Sequence, residues 1–443
     1  MTPRLFTAHS RRHFLKTSAL ATAALAFPFV SRAKVLGANS RLNIAGVGVG
    51  GKGWVDITSC DSQNIVGLCD VDATRLAKAQ AKFPSARAFA DWRVMFDQLG
   101  KQIDAVTVST PDHTHFPASM RAVHERKHVY CQKPLTHTVW EARTLAEAAH
   151  RAKVATQMGN QGLSHPKLRR DAELVRGGVL GDVTEMHCWT DRPGKWWAQA
   201  VQRPTTFPTV PTDLSWDLWL GTAPARPYHP AWGHFAWRGW WDFGTGAIGD
   251  MGCHLLNLAT LAMDLRDPVA IEATSEGANA ETGPAWSHIV WDFPARGPQP
   301  AFKFHWYDGG KLPPVGLFPA RPYPDNGILL VGTKDTMLSN YEGGAEFKSG
   351  AGYADFASVP ELFPKNPNWE RSHYEEWIAA CKGGPKAHSN FDVAGRVTEI
   401  VLLGNVALRA GQRIEWDAKR LRVTNVKDAN RLVRTEPRKG FKV

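Results

Sequence analysis

The strongest constraint on the fold of this chain is a glycine-rich stretch that separates two short apolar segments. The first segment covers residues 41–45, and the second covers residues 64–69 and ends at Asp70. The glycines of the motif between them are Gly46, Gly48 and Gly51. At this spacing the first glycine allows a tight turn, the second admits a pyrophosphate, and the third permits close helix–strand packing. An ordinary glycine turn needs no second strand with a terminal acid. The pattern therefore predicts a dinucleotide-binding unit in which Asp70 accepts hydrogen bonds from ribose hydroxyls.

The N-terminus predicts export from the cytoplasm. Residues 10–16 read Ser-Arg-Arg-His-Phe-Leu-Lys, an apolar run follows over residues 18–30, and small residues surround Arg32. These features are typical of a twin-arginine signal peptide, which we place at residues 1–33. The apolar run is shorter than the ~20 residues that cross a bilayer, so we expect no stable membrane anchor. Because this route carries folded proteins to the periplasm or beyond, where free nucleotide is scarce, we expect a tightly held cofactor.

Charge and cysteine content exclude several partners. Five basic residues and no acid lie in residues 1–33, which leaves 48 basic and 42 acidic residues in the remainder. No run of lysine or arginine stands out, so we expect no nucleic-acid binding. The six cysteines show neither a Cys-x-x-Cys motif nor zinc-site spacing. We therefore expect no metal site and no obligatory disulfide framework.

Strand and helix patterns alternate over residues 41–160. The later strands are expected at 103–109, 128–131 and 154–158, and the helices near 72–82, 91–99, 116–126 and 139–153. This succession predicts an α/β fold with a doubly wound parallel sheet. After Asn160 the strands at 183–191, 268–275, 286–293 and 300–307 have no helices between them. We expect residues 161–443 to form a second, α+β domain on a large, mostly antiparallel sheet, with helices near 166–177, 250–264, 370–382 and 392–410.

Two candidate functional motifs follow strands of the first domain, at the sheet edge where ligands bind in open α/β folds. In the first, Thr110-Pro111 precedes His113 and His115, and the alternative is a plain turn with two solvent-exposed histidines. The second is Gln132-Lys133-Pro134. A partly desolvated lysine beside a cofactor can act as an acid or base, whereas the alternative is a surface lysine in a turn.

A third motif lies in the second domain. A glycine-rich loop over residues 243–249 leads to Asp250 at the start of a helix, and His254 follows four positions later. Both side chains then share one helix face, where the carboxylate can orient the imidazole or a substrate hydroxyl. The alternative is that Asp250 caps the helix and His254 is an interior residue.

Together these motifs resemble the Gfo/Idh/MocA oxidoreductases. The matching residues are Gly46-x-Gly48-x-x-Gly51, Thr110-Pro111 with His115, Lys133-Pro134, and Asp250-x-x-x-His254. The resemblance covers nearly the whole chain after the leader and implies an N-terminal Rossmann domain. It implies that Lys133, Asp250 and His254 are catalytic and converge on a nicotinamide. His254 would accept the proton of a sugar hydroxyl, Lys133 would hydrogen-bond that hydroxyl, and a hydride would pass to nicotinamide C4.

The resemblance also implies a set of cofactor-binding residues. They are Gly46, Gly48, Gly50, Gly51, Asp70, Thr110, Pro111, His115, Gln132, Lys133 and Asn160. The family usually has Glu-Lys-Pro where this chain has Gln132-Lys133-Pro134. A neutral amide can still hydrogen-bond the cofactor, but it cannot stabilise a protonated lysine as a carboxylate would. NAD is the expected cofactor because Asp70 would repel a 2′-phosphate, although Arg75 nearby leaves NADP open.

The substrate expected from the resemblance is a small sugar or glycoside. Nine of the eighteen tryptophans fall between Trp189 and Trp241, where they could stack on sugar rings or pack a domain or subunit interface. Two other functions stay open. One is an NAD-dependent glycoside hydrolase that acts through a transient keto-sugar, and the other is a non-catalytic sugar- or nucleotide-sensing protein. The open sheet of the second domain predicts a homo-oligomer, a dimer or tetramer.

Overall fold

The computed structural model describes residues 41–319 and 322–441. The predicted signal peptide, residues 1–33, lies outside the described residues.

The N-terminal part is built on a parallel sheet of six strands with the order β3-β2-β1-β4-β5-β6. These strands are β1 Asn43–Val47, β2 Asn64–Cys69, β3 Arg87–Phe89, β4 Ala105–Val108, β5 His128–Gln132 and β6 Thr156–Gly159. The helices between them are α1 Lys52–Thr58, α2 Ala73–Lys82, α3 Trp92–Leu99, α4 Asp112–His124 and α5 Val139–Ala152. All neighbouring strands pair in parallel, which confirms the predicted doubly wound sheet.

Local sequence explains where most of these helices begin. The carboxylates of Asp72 and Asp91 accept the backbone N–H groups of Arg75 and Arg93 at the starts of α2 and α3. Thr138 forms a capping box at the start of α5. Helix α4 begins at Asp112, although its apolar pattern predicted a start near residue 116. The earlier start places both histidines of this motif inside the helix, where they are buried, so the alternative of a turn with two solvent-exposed histidines is wrong.

The second part is built on a sheet of nine strands with the order β13-β12-β11-β7-β10-β9-β8-β14-β15. These strands are β7 Val183–Trp189, β8 Ala270–Glu276, β9 Trp286–Phe293, β10 Phe302–Tyr307, β11 Gly327–Gly332, β12 Thr336–Ser339, β13 Glu346–Phe347, β14 Ile414–Asp417 and β15 Arg422–Val423. Strands β7 and β10 pair in parallel, and the other pairings are antiparallel. The mostly antiparallel sheet predicted for this part is therefore confirmed.

Further helices cover one face of this sheet and connect it to the first. They are α6 Pro166–Arg176, α7 Trp216–Leu220, α8 Gly246–Leu255, α9 Asn257–Ala262, α10 Trp369–Cys381, α11 Phe391–Ala410 and α12 Asn430–Val433. The single helix expected near 250–264 is thus two helices, and the first starts at Gly246. Helix α11 packs against α5 of the parallel sheet and against β8 of the second sheet. Trp291 of β9 donates its indole N–H to the carbonyl of Ile400 in α11, at 3.0 Å. This helix therefore contacts elements of both sheets and connects them.

Within the described ranges, no helix combines the length and the apolar character needed to cross a bilayer. All six cysteines are free and buried. The residues that the structure describes contain no group of three or more His, Cys, Asp or Glu side chains that could hold a metal ion.

Candidate active site

A cavity of about 640 Å³ lies at the carboxyl ends of β1, β2, β4 and β5. The ends of these strands line one side of the cavity. Residues 211–238, which we call the roof segment, line the opposite side. A cleft at this edge is where open parallel sheets bind ligands, because the strand ends and helix starts meet there. Its size is within the range of cofactor and substrate pockets.

The glycine loop shapes one end of the cavity. Gly48 has φ +76°, and a Cβ built on it would lie 2.8 Å from the carbonyl oxygen of Ser109. Only glycine fits both the conformation and the close approach. A Cβ on Gly51 would meet nothing closer than 3.8 Å, whereas one on Gly53 would collide with the carbonyl of Gly48. The close helix packing expected at Gly51 is therefore found at Gly53.

Asp70 organises this loop. Its carboxylate accepts the backbone N–H groups of Val49 at 2.9 Å, Gly50 at 3.0 Å and Asp72 at 3.0 Å. Burial raises the pKa of Asp70 above its usual value, although these hydrogen bonds oppose the change. Arg75 lies across Gly50, at a spot that a Cβ on that glycine would occupy. Asp70, its backbone partners and Arg75 thus form a polar cluster after β2, at the opposite end of the cavity from Lys133.

Lys133 and Asp250 meet at the other end, although 117 positions separate them in the chain. The ammonium of Lys133 lies 2.7 Å from Asp250 Oδ1, and Arg238 Nε lies 2.9 Å from the same oxygen. Arg192 Nε lies 3.7 Å from Asp250 Oδ2. Burial alone would raise the pKa of Asp250, but Lys133 and Arg238 hold it well below its usual range. Asp250 is the fifth residue of α8, and Thr245 is at the N-cap, so the helix-cap alternative for Asp250 is wrong.

His254 lies one turn further along α8 and lines the cavity. Removal from bulk water, and next the charge of Lys133, lower the pKa of His254 to about 3. The ring is therefore neutral at physiological pH. Its Nδ1 is buried and finds no hydrogen-bond partner in the described part of the chain. A neutral imidazole with an unused ring nitrogen can exchange a proton with a bound molecule.

Two further carboxylates are buried in this region, and Asp112 lines the cavity whereas Asp56 does not. Asp112 accepts the hydroxyl of Thr245 at 2.7 Å, and burial raises the pKa of Asp112 to about 7. Asp56, on α1, accepts the hydroxyl of Ser109 at 2.6 Å and the amide of Gln132 at 2.9 and 3.1 Å. Asp56 thus links the first helix to the strand end that carries Lys133.

Most of the predicted site residues come together in this cavity. Its lining includes Gly48, Gly50, Gly51, Asp70, Thr110, Pro111, Gln132, Lys133 and His254. Gly46, His115, Asn160 and Asp250 are not among the residues that line it, although Asp250 contacts Lys133, which does. The ring nitrogens of His115 lie 2.8 Å from the carbonyls of Pro134 and Thr110. This histidine therefore ties the loop after β4 to the loop after β5.

The side chain of Asn160 also forms its hydrogen bonds within the protein. Its side chain donates to Asn257 at 2.6 Å and accepts from Ser389 at 2.6 Å. It braces α9 against the loop before α11.

The roof segment contains four of the nine clustered tryptophans, and Trp240 lies just after it. Trp219, Trp232, Trp237 and Trp240 are buried together with Phe243. For these side chains the packing interpretation holds. Trp196, by contrast, has 40% of its surface exposed.

The roof segment is hydrogen-bonded to the first domain beside Asp70. Ala73 N–H donates to the carbonyl of Asp213 at 2.8 Å, and Ser215 N–H donates to the carbonyl of Val71 at 2.9 Å. Thr74 donates its hydroxyl to the carboxylate of Asp213 at 2.8 Å. These bonds close the roof segment over the Asp70 end of the cavity.

Sequence reasoning missed three charged residues of the site. Arg192 lies in a loop, Arg238 lies in a single 3-10 turn over Ala236–Gly239, and Asp56 looks like an ordinary helix residue. One signal was available for Arg238, because it stands inside the Trp237-Arg-Gly-Trp240-Trp241 run that precedes α8.

The residues present fit a nicotinamide dinucleotide. A Cβ on Gly48 or Gly50 would collide with Ser109 or Arg75, so only glycine keeps this loop compact enough for its backbone to approach a pyrophosphate. Asp70 stands at the end of β2, where the ribose of a dinucleotide binds. Lys133 and His254 line the same cavity at the end of β5 and on α8. The cavity therefore has an end suited to an adenosine and an end suited to a reacting nicotinamide.

Comparison with known families identifies both parts of the chain. The model of the oxidoreductase family Gfo/Idh/MocA, NAD-binding Rossmann fold, matches residues 41–160. The model of that family's C-terminal α/β domain matches residues 169–297. A twin-arginine translocation signal model matches residues 9–28.

Individual relatives match over shorter stretches. D-apiose dehydrogenase from Paraburkholderia graminis is 30% identical over 128 residues, which are 29% of this chain and 33% of that protein. Inositol 2-dehydrogenase from Rubrobacter xylanophilus is 28% identical over 159 residues, which are 34% of this chain and 45% of that protein. The matching region thus spans less than half of either relative.

The fold itself is similar over most of the chain to solved structures. Levoglucosan dehydrogenase in complex with NADH superposes with a TM-score of 0.57, at 16% identity, over 85% of this chain and 99% of that one. At this level of identity the likeness concerns the fold.

Proposed function

Because the chain belongs to the Gfo/Idh/MocA family of NAD-binding oxidoreductases, we propose that it is a sugar dehydrogenase with a tightly held NAD. The observation that carries the proposal is the Lys133–Asp250 ion pair beside His254, whose Nδ1 has no partner among the described residues. A neutral base and a hydrogen-bond donor at one end of a dinucleotide cavity are what oxidation of an alcohol requires.

The roles of the side chains follow from their contacts. Asp250 holds one N–H of the Lys133 ammonium, which leaves the other two free to bind the oxygen of a sugar hydroxyl. His254 then accepts the hydroxyl proton. When bound, the nicotinamide supplies the acceptor for the hydride that leaves the same carbon, so that the alcohol becomes a carbonyl.

Support for a sugar substrate comes from relatives. Similar proteins are dehydrogenases named for D-apiose and inositol. Polyhydroxylated substrates also suit a cavity whose lining includes Lys133, Arg238 and His254, because each of these side chains offers a polar contact.

Export supports retention of the cofactor. A twin-arginine signal matches residues 9–28, and we propose that the folded protein leaves the cytoplasm with NAD already bound. The roof segment supports this, because its hydrogen bonds close the Asp70 end of the cavity.

We also propose that two or four copies associate through the outer face of the nine-stranded sheet. His187, His288, His305 and Tyr307 stack on one another on that face, away from the helices, and of these His288 and His305 are partly exposed whereas His187 and Tyr307 are buried. Light scattering of the purified protein tests this proposal, and a mass equal to one chain would contradict it.

The hydride-transfer proposal is tested with the purified mature protein and no added nucleotide. We expect nicotinamide fluorescence to rise and stay high when a sugar from a panel of sugars and glycosides is added. Cleavage of a glycoside without a lasting change in fluorescence would contradict net oxidation. The absence of any fluorescence change over the whole panel would contradict the dehydrogenase proposal.

A matched pair of variants ties the activity to the site. His254→Asn is expected to lower kcat by about 10²–10⁴-fold. His150→Asn serves as the control because His150 lies on α5 with an exposed side chain, away from the cavity. Equal activity in both variants would remove His254 from the mechanism.

A further inference from the structure

Two arginines approach the Asp250 carboxylate from different parts of the chain. Arg238 comes from the roof segment and lies 2.9 Å from Oδ1, and Arg192 follows β7 and lies 3.7 Å from Oδ2. Lys133 is already 2.7 Å from Oδ1. One carboxylate is thus surrounded by three cationic groups. A further bound anion would offset the repulsion between these cations.

Aromatic rings hold both guanidinium groups in place. Arg192 lies 4.0 Å from the ring centroid of Trp196, and Arg238 lies 4.1 Å from that of Phe235 and 4.4 Å from that of Trp237. Stacking of this kind restricts the guanidinium plane, so that its free N–H groups point in defined directions.

Several N–H groups of the two arginines remain free. Arg192 uses Nη1 for Asp191 at 2.8 Å and for Asn326 at 3.2 Å, while its buried Nε lacks a hydrogen-bond partner within the described residues. Arg238 uses Nε for Asp250 and Nη1 for the carbonyl of Phe235. For neither arginine does the described part of the chain supply a hydrogen-bond acceptor to Nη2.

The nearby acids do not balance these cations. Asp191 and Asp250 face Lys133, Arg192 and Arg238, and Asp191 also lies 3.6 Å from the exposed Lys195. Asp112 is the next acid, but because burial raises its pKa to about 7 it carries less than a full charge at neutral pH. The region around Asp250, beside the cavity, therefore has a surplus of positive charge.

Two exposed aromatic rings lie beside the arginines. Trp196 has 40% and Phe235 has 45% of its surface exposed, and their ring centroids are 6.4 Å apart. Other tryptophans nearby are less exposed, because Trp219, Trp232 and Trp237 are buried and Trp216 is partly buried. A sugar ring can stack on such a surface while its substituents reach the neighbouring guanidinium groups.

We propose that the substrate is an anionic sugar, whose carboxylate or phosphate binds Arg192 and Arg238 while its ring lies against Trp196 and Phe235. Guanidinium groups with free, directed N–H donors are suited to both kinds of oxyanion. This inference rests on the proposed sugar-dehydrogenase function and adds to it the chemical class of the substrate.

The test measures binding and does not depend on turnover. Calorimetry with the mature protein, as purified, compares glucose, galactose and mannose with their 6-carboxylate and 6-phosphate forms. We expect at least one anionic form to bind about tenfold or more tightly than its neutral sugar, and this advantage to shrink as salt is added. A preference confined to carboxylates or to phosphates identifies which anion the site takes.

Three variants separate the site from general charge effects. Arg192→Met is expected to remove most of the advantage of the anionic sugar, and Arg192→Lys to restore part of it. Lys195→Met is the control, because Lys195 is also a cation near Trp196 but its side chain is 73% exposed. An unchanged advantage in Arg192→Met, or an equal loss in Lys195→Met, would overturn the proposal.

The outcomes distinguish this inference from the proposed function. If no anionic sugar binds more tightly than its neutral form, the inference fails, and a neutral sugar that still reduces the bound cofactor leaves the dehydrogenase proposal intact. If anionic sugars bind through Arg192 but none changes the nicotinamide fluorescence, the anion site stands and the dehydrogenase proposal fails.

Discussion

Asp56 accepts two hydrogen bonds from the side-chain amide of Gln132, at 2.9 and 3.1 Å, although 76 positions separate the two residues. The resemblance led us to expect a glutamate at position 132. Here the carboxylate is supplied by α1 instead, and it also accepts the hydroxyls of Ser109 at 2.6 Å and Tyr374 at 2.7 Å. The pair thus holds the end of β5, next to Lys133, against the helix that follows the glycine loop.

A double-mutant cycle on this pair has a defined expectation. Gln132→Glu places two buried carboxylates in contact, and Asp56→Asn removes the negative charge of the carboxylate that accepts these hydrogen bonds. Each substitution is expected to lower the free energy of unfolding by about 2–3 kcal/mol. The double variant exchanges the amide and the carboxylate and restores the hydrogen bonds. We expect its loss to be smaller than the sum of the single losses by about 1 kcal/mol or more, measured by denaturant unfolding. Additive losses would show that the pair does not act as a unit.

Asp112→Asn is expected to stabilise the protein in a pH-dependent way. Burial raises the pKa of Asp112 to about 7, so its stabilising contribution is complete below the unfolded-state pKa and declines as pH rises through the folded-state value. Asparagine keeps an oxygen for the Thr245 hydroxyl and never ionises. Its advantage over Asp112 in the free energy of unfolding should grow between pH 4 and pH 7 by up to about 1.4 kcal/mol per unit, then level off. A difference that is constant over this range would show that Asp112 titrates normally.

Gly48→Ala and Gly411→Ala form a matched pair. Both glycines have positive φ, at +76° and +66°, but a Cβ on Gly48 meets the Ser109 carbonyl whereas one on Gly411 meets nothing within 4 Å. Each alanine adds the strain of a left-handed backbone, about 1–2 kcal/mol. Only Gly48→Ala should also lose bound nicotinamide, measured by its absorbance in the purified protein. Full retention of the cofactor in Gly48→Ala would contradict the cradle that we assign to this loop.

Ser215→Pro tests whether the roof segment retains the cofactor. Ser215 has φ −80°, which proline tolerates, but proline removes the N–H that donates to the carbonyl of Val71 at 2.9 Å. One such hydrogen bond contributes about 1 kcal/mol, so the cofactor should dissociate about fivefold faster. Ser215→Ala keeps the N–H and should release the cofactor at the normal rate, as followed by loss of nicotinamide after dilution. Identical release rates in the two variants would mean that this end of the cavity is not the exit.

Much of the fold could be predicted because its signals are local. The alternation of buried strands and helices up to residue 160, and the long apolar helix near residues 392–410, are properties of neighbouring residues and need no tertiary information. The predictions that were wrong concern the residues at which helices begin. Helix α4 begins at Asp112, directly after Pro111, whose backbone is extended with ψ 155°. Its polar first residues find partners in the second domain, as Asp112 does with the Thr245 hydroxyl.

The residues of the candidate site likewise fall into two groups, those that a local motif identifies and those that only the structure reveals. Lys133 and His254 could be proposed because each stands in a short motif at a strand end or on a helix. The contacts that set their chemistry could not, since Arg238, Arg192 and Asp56 reach the site from loops and a helix without a pattern. His115 belongs to a motif, yet both of its ring nitrogens face backbone carbonyls, and only the packed structure shows this.

By itself, the amino-acid sequence determined the dinucleotide-binding architecture, the export signal and the order of the candidate site motifs, because short-range spacing and backbone conformation decide these features. Only the tertiary structure decided which charges surround Asp250, which tryptophans are buried, and how the roof segment covers the cavity. Electrostatic interactions and burial depend on distances of a few ångströms between residues that are far apart in the chain, and no local pattern specifies those distances.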